Sequence, residues 1–470
     1  MSPSSENDPG RATAELLARY DRPGPRYTSY PTAIAFHEGF TEADYRARLA
    51  LADAHPGEPL SLYAHLPFCQ ERCLYCGCNV VISPHRAGSG PYLDHLIAEI
   101  DLLAAALPHR RTLSQMHWGG GTPTYYAPED LARLYRAVTE RFTFTDDAEI
   151  GIEVDPRVTS LQHIDTLAAL GFNRLSAGVQ DFSPEVQEAV HRIQSFESTR
   201  DLIEHARKQG FTSVNIDLIY GLPFQSADGF ARTLDQVIAI RPDRVAVYSF
   251  AFVPWIKGHM RHLPPESLPG PELKLELLAL ALDRFTEAGY VAIGMDHFAL
   301  PGDELARATL AGTLSRNFMG YTVQSARDMV VIGISSIGDV QGAFVQNVKK
   351  LPAYADAIAR GRFPVEKGYA LTADDTLRRH VITELMCNAR LDLESVERRF
   401  GLKFEDAFAT ELAELRAPGG PIEDGMLELT PGWIRLTPLG RRFVRNVAMV
   451  FDRHLREDTS GERPVFSRTV

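Results

Sequence analysis

No apolar run in the 470 residues approaches the roughly 20 residues that a membrane-crossing helix needs, so no membrane partner is expected. Basic residues are in deficit: 49 Lys and Arg stand against 61 Asp and Glu, a formal net charge of −12. A general nucleic-acid binder needs a basic surface to meet phosphates, so nucleic acid is set aside as a partner. Cysteine is scarce, with five in all. A disulfide framework is therefore not expected, and without a signal-peptide pattern the compartment reads as reducing and the location as cytoplasmic. The hydrophobic share of 44% is ordinary, and the length suits one large domain with an appendage.

The few cysteines are not scattered. Four of the five fall inside ten residues, in the run from Tyr63 to Cys78. Cys69, Cys73 and Cys76 are spaced C-x₃-C-x₂-C directly after an apolar strand-like run. Structural zinc sites usually split their ligands into two pairs across a longer loop. Thiolates on one short loop are better placed to wrap one iron–sulfur cubane. Three thiolates for about four irons leave one iron open to an amine and a carboxylate on a ligand. Cys78 lies too close to Cys76 to be an easy fourth ligand; it reads as a neighbour of the site or as a small buried side chain.

From Leu60 onward apolar strand-like runs alternate with amphipathic helical ones. Strands are expected at Ser61–Phe68, Gln115–Gly119, Glu149–Val154, Arg174–Val179, Ser213–Ile219 and Arg244–Ala251. Helices are expected between them, near 91–107, 127–142, 159–170, 183–209 and 227–239. Such repetition predicts an α/β fold, a partial or full (β/α) barrel of about six units with right-handed crossovers. Chemistry in these barrels sits at the C-terminal strand ends, where the polar residues gather. Gly119–Gly121 ends the second strand, Glu153 and Asp155 the third, and Gln180 and Asp181 the fourth. Asp217 lies inside the fifth. Arg192, within the long fourth helical region, could meet a carboxylate bidentately, or could be a solvated helix arginine.

Outside this block, residues 1–12 are polar and read as disordered. Residues 22–33 hold three prolines and form an extended arm. Its Arg22 and Arg26 could face an anionic ligand, or the arm could be a plain connection. Asp296 and His297 are expected to close a strand at 291–298. Residues 371–455 change to a winged-helix-like order, better read as a packing domain than as a DNA binder. The division expected is an arm and lead-in helices at 1–59, a barrel with extension at 60–345, and a mainly helical C-terminal domain at 346–470.

C-x₃-C-x₂-C after a strand is the signature of the radical S-adenosylmethionine enzymes. Within them the chain resembles the oxygen-independent coproporphyrinogen III oxidases over nearly its full length. The resemblance rests on PGPRYTSYPTA, YAHLPFC with its following cysteines, GGGTP, NIDLIYGLP, GMDHF and RNFMGYT. It implies a 4Fe–4S cluster on Cys69, Cys73 and Cys76, with Tyr63 and Cys78 beside it at the reacting centre. It also implies two molecules of S-adenosylmethionine. Gly120, Gly121 and Thr122 would hold the first through their backbone. Glu153, Gln180, Arg192 and Asp217 would share the polar contacts of both, and Tyr75, Cys78, Ala251 and Ile337 would line the pocket. Tyr75 stands where phenylalanine is expected, and Met319 where some relatives carry glutamine.

The implied reaction starts when an electron cleaves the cofactor to methionine and a 5′-deoxyadenosyl radical. That radical takes hydrogen from a propionate β-carbon of coproporphyrinogen III. Loss of carbon dioxide and one electron leaves a vinyl group, and a second round gives protoporphyrinogen IX. An electron donor and an acceptor are required and not identified, and a monomer is expected. The alternative is a haem-binding chaperone of the same superfamily, a branch that typically lacks both the arm and a cysteine at position 78.

Overall fold

The computed structural model describes residues 14–85, 88–323, 326–457, 466, 468 and 469; the stretch 1–12 expected to be disordered lies outside them. Six strands follow the expected order: β1 (Leu60–Leu66), β2 (Thr112–Gly120), β3 (Thr143–Val154), β4 (Arg174–Gln180), β5 (Ser213–Tyr220) and β6 (Arg244–Ser249). Each pairs in parallel with the next. Parallel neighbours cannot be joined by a tight turn, so a helix returns the chain each time. Ser160, Ser195 and Ser226 start three of these helices by accepting a backbone N–H, which satisfies donors the helix leaves open.

The sheet continues on both sides. β7 (Val291–Gly294) and β8 (His297–Ala299) form a hairpin whose second strand lies antiparallel on β6. Beyond β1, β9 (Asp328–Ile332) is parallel, and β10 (Ile337–Val340), β11 (Ala343–Asn347) and β12 (Val365–Ala370) follow antiparallel. Among the described residues the order is β12-β11-β10-β9-β1-β2-β3-β4-β5-β6-β8-β7. It runs between two edges without closing, so the barrel is partial.

Three expectations change. The fourth helical region is two helices, Pro184–Ala189 and Phe196–Lys208, because Gln187 and Gln194 clasp each other across the break. Gln194 N–H donates to the Gln187 side chain at 3.0 Å, and the Gln187 amide donates to the Gln194 carbonyl at 3.0 Å. Asp296 and His297 do not close a strand; Asp296 lies in the turn of the β7–β8 hairpin and His297 opens β8. A division at 345/346 would fall inside β11, and the main sheet runs on to Ala370.

The two largest hydrophobic cores among the described residues follow from this. The larger spans Phe40 to Phe363 and packs the helices on the outer face of the sheet. The second joins Leu377–Phe451 to Tyr20, which ends the helix Ala14–Tyr20, and to Tyr27 and Tyr30 of the arm. The arm therefore packs into the C-terminal domain, whose strands Arg390–Asp392, Trp433–Leu436 and Leu427–Leu429 form a small antiparallel sheet.

Strand alternation aims the polar side chains. In β4 Leu175, Ala177 and Val179 are buried under the helices, while Arg174, Ser176, Gly178 and Gln180 take the other face. In β5 the same period places Asn215 and Asp217 opposite the buried Val214, Ile216 and Leu218.

Candidate active site

At the C-terminal ends of β2–β5 the inward-facing polar residues and the cysteine loop enclose one cavity of 1010 Å³. Cys69, Cys73, Cys76 and Cys78 all line it. The loop is held against the end of β2 by backbone bonds: Gly121 N–H donates to the Leu66 carbonyl at 2.9 Å and Thr122 N–H to the Phe68 carbonyl at 3.0 Å. Two glycines are required there. Gly120 has φ +120°, and a Cβ on it would stand 2.7 Å from the His65 ring. A Cβ on Gly121 would stand 2.4 Å from the Pro67 carbonyl oxygen.

Positive charge gathers on Cys73. Arg157 Nη2 lies 3.5 Å and Arg192 Nη1 3.6 Å from its sulfur. Both guanidiniums also donate to Asp155 Oδ2, at 2.7 Å and 2.9 Å. Burial pushes the Asp155 carboxyl up, but the two arginines outweigh it and hold it below the ordinary range. The break between the two helices is what delivers Arg192, since His191 takes φ +55° and turns the chain inward. Arg192 is 6% exposed, and its Nε–H has no acceptor among the described residues.

Two further carboxylates face the same space. Glu153 accepts from the Gly120 N–H at 3.0 Å, with His117 Nε2 at 3.5 Å from its other oxygen. Burial raises this carboxyl, yet His117, the Gly120 amide and His65 together bring it below its usual value. Asp217 accepts from the Asn215 amide at 2.8 Å and the Ser176 hydroxyl at 3.1 Å. Burial lifts it to about 6, the Asn215 bond opposing and the charge of Glu153 adding.

These groups suit a thiolate-bound iron–sulfur cluster with an organic cation beside it. The three cysteines open onto one space, and the guanidiniums at Cys73 balance the negative charge that ligating thiolates bring. The unpartnered Arg192 Nε–H and the carboxylates of Glu153 and Asp217 leave donors and acceptors for a ligand's carboxylate, amine and hydroxyls.

Comparison with known proteins agrees with this chemistry. The Radical SAM superfamily matches residues 63–237 and the HemN C-terminal domain residues 371–443. The chain is 45% identical over 455 residues to the oxygen-independent coproporphyrinogen III oxidase of Escherichia coli (strain K12), covering 97% of this chain and 98% of that one. It is 42% identical over 462 residues to that of Synechocystis, covering 97% and 98%. The solved structure of the Escherichia coli coproporphyrinogen III oxidase superposes with a TM-score of 0.87 at 44% identity, over 92% of this chain and 98% of that one.

The chain belongs to the oxygen-independent coproporphyrinogen III oxidase family.

As a family member it has most of the expected residues in one place. Cys69, Cys73, Tyr75, Cys76, Cys78, Gly120, Gly121, Thr122, Glu153, Gln180, Arg192 and Asp217 line the cavity. Tyr63 stands one layer behind, stacked 6.2 Å from the His117 ring that reaches Glu153. Ala251 instead lines a separate 290 Å³ cavity with Pro23 and Arg468. Ile337 begins β10 opposite Gln346 and does not line the main cavity. Arg22 is exposed and also stands away from it. Arg26 forms an ion pair with Asp296 and lies 5.5 Å over the ring of Tyr248, which is part of the cavity wall.

Sequence reasoning passed over Arg157, His117, Ser176, Asn215 and Tyr248. The signal for Ser176 and Asn215 was present: in RLSAGVQ and SVNIDL polar residues alternate with apolar ones, which in buried parallel strands marks a face lining a site.

Proposed function

We propose that this protein oxidatively decarboxylates two propionate side chains of coproporphyrinogen III to vinyl groups without oxygen, giving protoporphyrinogen IX in haem synthesis. The observation that carries this reading is the single cavity lined at once by Cys69, Cys73, Cys76, Glu153, Arg192 and Asp217. Near-full-length identity of 42–45% to oxygen-independent coproporphyrinogen III oxidases supports the same substrate.

Cys69, Cys73 and Cys76 would hold a 4Fe–4S cluster, which supplies the electron that turns S-adenosylmethionine into methionine and a 5′-deoxyadenosyl radical. The protein's own part is positioning and exclusion of water. The Gly120, Gly121 and Thr122 backbone, which lines the cavity, would hold the cofactor along that wall. Glu153 and Asp217 would accept from ribose hydroxyls or an ammonium. Arg192 would donate its free Nε–H to a carboxylate. Tyr75 and Cys78 would pack against the cofactor, and Tyr63 behind Glu153 would fix that wall.

The volume of 1010 Å³ supports a second S-adenosylmethionine, with Gln180 shared between the two. Ala251 and Ile337 lie off this cavity and take no cofactor contact in this assignment. The tetracarboxylate substrate would approach past Tyr248, where Arg26 is the nearest arm cation; Arg22 would serve only if the arm moves. We assign barrel and extension to 60–370, the C-terminal domain to 371–470 with the arm packed on it, a monomeric state and a cytoplasmic location.

The test is anaerobic turnover of coproporphyrinogen III with reconstituted enzyme, S-adenosylmethionine and dithionite, with products separated by chromatography. Divinyl product with two 5′-deoxyadenosines released per molecule is expected. Tight haem binding and transfer with no vinyl product would replace the reading with a haem chaperone. Zinc without iron after anaerobic reconstitution would defeat both.

A further inference from the structure

The cysteine loop has an outer side as well as a cavity side. There residues 250–268 fold under it in a small apolar core of Leu74, Val190, Leu222, Phe250, Met260 and Leu263. This segment reaches two of the cysteines by hydrogen bonds. Lys257 Nζ donates to the Cys78 carbonyl at 3.2 Å, and His259 donates to the Cys76 carbonyl at 2.9 Å. A surface segment is therefore one hydrogen bond from the backbone of the third expected cluster ligand.

The same segment is apolar and basic outside. Among the described residues nine large hydrophobic side chains are exposed, and four of them, Ile193, Phe224, Trp255 and Ile256, lie on segments tied to this loop. Phe224 N–H donates to the Ser267 carbonyl at 2.9 Å, and Leu74 N–H to the Val190 carbonyl at 3.0 Å, which fixes their neighbourhood. Residues 250–268 carry Lys257 and Arg261 against the single acid Glu266, in a chain whose net charge is −12 with histidine neutral. Arg72 adds a positive charge from the cysteine loop itself, beside Glu71.

We propose that the exposed face of residues 252–263, with Arg72, is the docking surface for a small acidic low-potential electron-carrier protein. This rests on the cluster reading given under Proposed function. In the docked pair one electron leaves the reduced carrier, which is oxidised, and enters the cluster, which is reduced; no covalent bond forms or breaks. Charge complementarity names the partner, since an otherwise acidic protein repels an acidic carrier everywhere but at a local positive patch. The exposed Trp255 and Ile256 supply the apolar centre that such small, transient interfaces use.

The probe is plant-type [2Fe–2S] ferredoxin. Its binding to immobilised enzyme, and the 5′-deoxyadenosine formed with either reduced ferredoxin or dithionite, are measured for wild type, Arg261→Glu and the double variant Trp255→Ser with Ile256→Ser. Ferredoxin binding and the ferredoxin-driven rate should fall about tenfold in both variants, with the dithionite-driven rate unchanged. For wild type, ferredoxin affinity should weaken about tenfold as ionic strength rises from about 0.01 to about 0.15 M and the Debye length shrinks from about 30 to about 8 Å. Variants that bind ferredoxin as wild type does, or a wild-type affinity insensitive to salt, would overturn the surface. If a variant loses iron, the wild-type salt dependence decides. A wild-type protein that holds four irons but releases no 5′-deoxyadenosine with dithionite would instead sink the cofactor reading, while the binding arms still judge the surface.

Discussion

The substitution Gly121→Ala tests whether the cysteine loop is aligned by backbone contact with the end of β2. The added Cβ would lie 2.4 Å from the Pro67 carbonyl oxygen, 2.6 Å from its carbon and 2.9 Å from the Phe68 oxygen. All three are main-chain atoms, so no side-chain rotation relieves the contact. The shortest ordinary approach is 3.4 Å, and Pro67–Phe68 must therefore retreat by roughly 1 Å. That segment leads directly into Cys69, and its retreat strains the bonds from Gly121 to Leu66 and Thr122 to Phe68. A displacement of about 1 Å near reacting groups costs on the order of 100-fold in rate. Overpacking in a fitted interior costs about 1–3 kcal/mol in stability. Gly121→Ala should then keep its fold, with a modestly lower Tm, and lose about 100-fold in anaerobic vinyl formation. Gly90→Ala is the control, because its Cβ meets nothing within 4 Å and it lies in the helix Ser89–Ala106; it should match or exceed wild-type stability. Turnover of Gly121→Ala within threefold of wild type would refute the alignment argument.

Replacing Cys69, Cys73 or Cys76 singly with serine should abolish iron retention on anaerobic reconstitution, whereas Cys78→Ala should keep about four irons; iron and sulfide analysis separates the two outcomes. Glu99 is 1% exposed and accepts from Tyr354 at 2.5 Å, Gly333 N–H at 2.7 Å and Asn347 at 2.8 Å, and burial lifts its pKa to about 7 from 4.5. Between those values the folded state binds more protons than the unfolded chain, so stability falls as pH rises through that window, by ~3 kcal/mol in all. Urea melts at pH 5 and pH 8 should show this fall in wild type and not in Glu99→Gln; parallel slopes would exclude Glu99 as its source. Deleting residues 1–33 should lower Tm and turnover together, since Tyr20, Tyr27 and Tyr30 are buried in the second core at 7%, 6% and 2% exposure and each contributes on the order of 2 kcal/mol; an unchanged Tm would return the arm to a purely functional role.

What the sequence disclosed was what local pattern encodes. The six parallel strands announced themselves because each needs an apolar run bounded by turn residues, and the cysteine loop because its spacing is short. Arg192 was misplaced on a helix for the converse reason. Residues 183–209 keep a helical period throughout, and the break comes from the Gln187–Gln194 clasp, a pair of side-chain bonds that periodicity cannot register. The arm misled similarly: Tyr27 donates to Asp452 at 2.9 Å and Arg445 donates to the Pro25 carbonyl at 2.9 Å, partners more than 400 residues away. The boundary at 345 failed because β11 and β12 join the sheet edge by backbone pairing, which needs no distinctive side chains.

Net charge misled least where it was trusted least. A total of −12 argues against a general nucleic-acid surface and not against a local positive pocket, and the cavity surrounds Cys73 with two guanidiniums. Asp155 explains how both can be buried there. Its Oδ2 accepts from Arg157 and Arg192 together, so one carboxylate fixes two forks and leaves one positive charge over at the sulfur. Without the acid, the two cations would repel each other and leave the wall; without either arginine, the acid would sit buried beside thiolates of its own sign. Asp155 is thus the residue that lets an acidic protein present a positive wall to a negatively charged cluster, and neither its charge nor the chain's total reveals that role. Only the three-way contact does.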